Sequence, residues 1–176
     1  MQDALQIQDI RLDPLAPNAI TPAMAASADA WYELVLTVRS AADGALFVLS
    51  DVRRMVYDEA ARALVIEFSE RNVPATPRRR RQLPANFVEL KPGGTTALTY
   101  RISSPVIFTF SPAGEATAPR FVRVPADVDA IRCTVAFDDA PPRQLTNLAS
   151  HETGDDVRRW GRTVERHLQL RGRDAV

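Results

Sequence analysis

Trp31-Tyr32-Glu33-Leu34-Val35-Leu36-Thr37-Val38-Arg39-Ser40 alternates apolar and polar side chains with little interruption. Tyr32, Leu34, Leu36 and Val38 fall on one side of an extended chain, and Glu33, Thr37 and Arg39 on the other. A repeat of two residues is what a strand with one buried and one wet face requires. Residues 63–70 (ALVIEFSE) repeat the pattern, with Leu64, Ile66 and Phe68 set against Glu67 and Ser69. The class that follows is an antiparallel all-β domain.

Outward from these strands the chain is divided by turn signals. Ala41-Ala42-Asp43-Gly44 leads to an apolar run at 45–49, and 52–57 continues through Arg53 and Arg54, which read as exposed. Asp58 to Arg62 closes a hairpin into the second alternating segment. Towards the N-terminus, residues 4–12 offer Leu5, Ile7 and Ile10 to a core. Pro14, Pro17 and Pro22 then argue against regular structure over 13–30, because each lacks a backbone donor and restricts its predecessor. Further along, residues 70–86 form a long polar loop, and 87–90 a short strand that ends at Lys91-Pro92-Gly93-Gly94. Residues 95–102 alternate again, with Thr96, Leu98, Tyr100 and Ile102 on one face. Residues 106–110, bounded by Pro105 and Pro112, read as an edge or crossover strand. A short strand is expected at 121–124 and a firm one at 130–137.

Beyond residue 150 the period changes. Val157, Trp160, Val164 and Leu168 recur at steps of three and four, and Thr153 stands three residues before Asp156 as in a capping box. A C-terminal helix over about 154–170 is expected. The division is then one β-sandwich domain over 1–150, followed by a helix and tail over 151–176.

Seven to nine short strands without alternating helices call for two packed antiparallel sheets. The strand over 34–39 with its short turn, Leu90-Lys91-Pro92-Gly93-Gly94 before a Thr-rich strand, and the strand over 131–137 resemble the immunoglobulin-like or fibronectin-type bacterial β-sandwiches. The resemblance spans about residues 30–137 and implies an immunoglobulin-like β-sandwich used for binding, spacing or adhesion. The cysteine pair and central tryptophan of antibody domains are not matched.

Composition narrows the function further. Lysine plus arginine and aspartate plus glutamate number 22 each, so no global field favours nucleic acid or an anionic membrane. Lys91 is the one lysine, and the Arg, Ala, Val and Pro bias is that of a GC-rich bacterial genome. The N-terminal sequence lacks the basic start and apolar run of a secretory signal, and no stretch reaches the roughly 18 apolar residues of a membrane span. Cys133 shares a face with Ile131, Val135 and Phe137, the position of a buried structural thiol. A cytoplasmic location is the expectation.

Few residues arrange themselves as chemistry. His151 and His167 are not spaced as a helical metal-binding pair, and no cysteine cluster suits zinc. Asp138-Asp139 precedes a proline turn, and Asp155-Asp156 fits the first turn of the expected helix. No serine sits in a nucleophile elbow. The expectation is therefore no enzyme, no cofactor and no metal. The local departure from neutrality is Arg78-Arg79-Arg80-Arg81, whose forked donors suit a carboxylate-rich protein, phosphate or nucleic acid. The absence of a basic face elsewhere, and of aromatic residues between the arginines, argues against a dedicated nucleic-acid binder. The bland alternative is a solvated loop balanced by Glu67, Glu70 and Glu89. Trp160 offers a second contact, either in cis or in a partner's groove.

The reading is a non-catalytic protein-interaction or accessory module of a bacterial assembly. Its partner is another protein or a second copy, bound through Arg78, Arg79, Arg80, Arg81 and Trp160 or through an exposed strand edge. One alternative is an enzyme or ligand-binding domain assembled from Tyr57, Tyr100, Asp138 and His151. Another is an inhibitor presenting the Pro-flanked loop 73–84.

Overall fold

The computed structural model describes residues 4–71, 86–141 and 160–170. Its first strand, β1 (Leu5–Pro14), pairs antiparallel with β2 (Ala30–Ser40), which pairs in turn with β7 (Thr95–Ser104). These three form one sheet. A second, six-stranded sheet joins β3 (Leu46–Leu49), β4 (Arg54–Asp58), β5 (Ala63–Phe68), β6 (Phe87–Leu90), β10 (Ala130–Asp138) and β11 (Arg162–Gln169). The remaining pair, β8 (Val106–Phe110) and β9 (Ala116–Val122), is a separate hairpin.

One buried cluster draws on both larger sheets. Leu34, Leu36 and Val38 of β2, with Leu98 and Ile102 of β7, share it with Leu64, Ile66 and Phe68 of β5 and Ile131, Cys133, Val135 and Phe137 of β10. The alternation picks out the inward residues, but the opposite face is not simply wet, since Val35, Glu67 and Ser69 are buried as well. Cross-strand pairs Leu34↔Tyr100, Leu36↔Leu98 and Tyr32↔Ile102 put the expected face of β7 inward. The all-β class stands.

Sheet pairing departs from the antiparallel expectation at one place. β5 and β10 run parallel, from Ala63↔Ala130 to Phe68↔Val135. Ile131 pairs with both Leu64 and Leu168, and Phe137 with both Val48 and Arg162. A strand residue has two edges, so β11 lines one edge of β10 throughout. The other edge is shared, by β5 first and by β3 at its end.

The expected C-terminal helix is not there over the described residues. Residues 162–169 form β11, antiparallel to β10, so they complete the main sheet and are not an appendage. The reason lies in the spacing. Val164 and Leu168 stand four apart, and a step of four keeps a residue on one face of a strand as well as of a helix, whereas Trp160 precedes β11 and packs with Leu49 and Ala136 instead. Residues 154–159 lie outside the described residues.

Proline misled in the opposite direction. A short 3-10 turn, Pro17–Ala19, and a helix α1, Pro22–Ser27, occupy the stretch expected to be irregular. Pro22 sits in the first helical turn, where its missing N–H costs nothing, and the Thr21 side chain accepts from the Met24 N–H at 3.2 Å. The Trp31 indole then donates to the Met24 carbonyl at 2.9 Å, which fastens α1 to the start of β2.

Candidate functional site

The surface feature that stands out is the β8–β9 hairpin. The register Val106↔Val122, Ile107↔Phe121, Phe108↔Arg120 places alternate residues on its two faces. Val106, Phe108 and Val122 are buried. Phe108 stacks on Tyr57 with ring centroids 6.1 Å apart, and the Arg120 guanidinium lies 5.6 Å from the centre of the same ring. Arg120 also pairs with Glu59, and Arg54 donates to the Pro112 carbonyl at the hairpin's turn. One face is therefore locked onto β4.

The other face is apolar and open. Ile107 is 55% exposed and Phe121 directly opposite is 63% exposed; Phe110, 58% exposed, has the parity of Phe108 and stands beyond the irregularity in the register, near the turn. Among the described residues these are the exposed large hydrophobic side chains, and all three lie on this hairpin. Scattered apolar residues on a surface are ordinary, whereas a contiguous group marks a contact site. Burying aromatic area is also among the strongest contributions to association. The outer edge of β9 carries no ladder among the described residues, and Pro119 within it is a residue type that sheets place on edges.

A charged clamp holds the hairpin's neighbourhood. Arg53 and Arg54, expected in solvent, have side chains only 13% and 10% exposed. Arg53 pairs with Glu70, and Arg54 Nη1 lies 3.4 Å from Glu67 Oε2. Register explains the second pair, since Arg54 and Glu67 face one another across β4 and β5. Glu67 and Glu70, expected to balance the arginine run, are thus engaged with Arg54 and Arg53.

Of the residues expected to bind a partner, Arg78, Arg79, Arg80 and Arg81 lie outside the described residues, as does the loop 73–84. Trp160 packs in cis. Its ring meets Phe87 edge to face at 4.7 Å, beside Leu49 and Ala136, and its indole donates to the Ala140 carbonyl at 2.8 Å. This cluster covers the outer face of the six-stranded sheet where β10 is buried on both sides.

The dispersed site does not assemble from the residues expected of it. Tyr57 is buried beneath the hairpin and donates to the Asp127 carbonyl at 2.9 Å. It lies in the row Tyr57–Leu64–Ile131, whereas Asp138 is seven residues further along β10. At about 3.3 Å per residue that is on the order of 20 Å. Tyr100 is half-buried on β7 of the other sheet, and burial pushes its hydroxyl pKa upward. His151 lies outside the described residues. His167 Nε2 meets Glu165 Oε1 at 2.6 Å, and Glu165 Oε2 lies 3.4 Å from the Thr134 hydroxyl. The carboxylate stands between hydroxyl and imidazole. Cys133 is fully buried, its thiol pushed up to about 12, chiefly by desolvation and then by Glu165.

Sequence reading missed the hairpin's open face. The signal was present, since Val106-Ile107-Phe108-Thr109-Phe110 is apolar at both parities, more than an edge strand with one buried face needs. No protein-family model, curated protein or solved structure matches this chain. No helix among the described residues is long and apolar enough to cross a membrane.

Proposed function

We propose that this chain is a non-catalytic protein-interaction or accessory module of a cytoplasmic bacterial assembly, built on an immunoglobulin-like β-sandwich. The observation that carries the reading is the hairpin: Ile107 and Phe121 are open to solvent on one face of an element whose opposite face is anchored, and Phe110 near its turn is exposed as well. An anchored element loses little freedom when a partner covers it, so more of the burial appears as affinity. The Arg78–Arg81 run is a second contact, suited to carboxylates. Trp160 is a supporting residue of the sheet and not a contact, because its indole and ring already have partners within the chain.

The test is affinity capture from nuclease-treated lysate of the native host. Wild type is compared with Ile107→Ser/Phe121→Ser and with all four arginines changed to Ala. A stoichiometric protein, the endogenous chain included, should be retained by wild type and lost from the folded hairpin variant. Equal recovery by both, or none by either, would refute the hairpin as a docking surface.

A further inference from the structure

We draw no further inference here: the strongest candidate, the outer edge of β7, which pairs with β2 alone among the described residues, carries nothing because nothing in the structure shows what covers it.

Discussion

Gly161 adopts φ +80°, and a Cβ added there would lie 2.6 Å from the Phe137 carbonyl oxygen. Both facts follow from one requirement. The chain must fold Trp160 back over Phe87 while delivering Arg162 to its place opposite Phe137. A left-handed residue makes that change of direction, and no other side chain has room beside the carbonyl. Gly161→Ala should therefore cost about 3 kcal/mol, from left-handed strain together with displacement of the backbone neighbour. Urea denaturation gives the value, and an unchanged or raised stability, as at an ordinary helix or strand position where Ala is better than Gly by about 0.5–1 kcal/mol, would contradict the geometry. The same glycine was the residue to heed in the sequence. It stands midway through the expected helix, and Thr163, Glu165, His167 and Gln169 after it alternate with Val164, Leu168 and Leu170.

At the scale of an element, β1 shows how one residue rescues a strand. Leu5 and Ile7 pair opposite Ser40 and Val38, the register then skips Gln8, and Ile10 and Leu12 continue opposite Leu36 and Leu34. Without that bulge Ile10 and Leu12 would face water, because the side-chain period is two. The bulge leaves carbonyls that β2 does not use, and the Arg166 guanidinium donates to those of both Ile7 and Gln8. Arg166 lies on β11, so it ties the edge of the small sheet to the edge of the large one. Removing it should cost about 2 kcal/mol, the scale of a hydrogen bond from a charged donor. Arg166→Ala should also raise amide exchange along residues 5–12 more than along β7. Uniform exchange across both strands would show that the clasp is not local. Regular strands such as β2, β7 and β10 were legible because each carries one unbroken alternation. The bulge was not, since nothing local in Gln8 distinguishes it from a wet-face residue.

Over the whole molecule, burial decides the state of the titratable groups, and Cys133 gives a readable consequence. In the unfolded chain the thiol titrates near 8.5, whereas the fold holds it up to about 12. The native state keeps a proton that the unfolded state releases, so this contribution is complete below the unfolded value and declines as pH rises towards the folded one. The slope reaches about 1.4 kcal/mol per pH unit. Comparing urea midpoints at pH 8 and 10.5, Cys133→Val should lose about 2 kcal/mol less than wild type over the interval. Equal losses would mean the thiol ionises in the folded protein.

The sequence by itself determined the β class, most strand positions, the inward residues of β2, β5, β7 and β10, and the buried cysteine. These depend on a period of two that each segment carries alone. Only the tertiary structure decided that residues 162–169 are a strand, because a spacing of four satisfies both periods and the open edge of β10 settles which is used. It also decided the parallel pairing of β5 with β10, which joins segments more than sixty residues apart and leaves no local mark. Burial of Arg53 and Arg54 against Glu70 and Glu67, and exposure of Ile107, Phe110 and Phe121, belong to the same class. Polarity states what a side chain prefers, whereas which surfaces are covered depends on how distant strands come together.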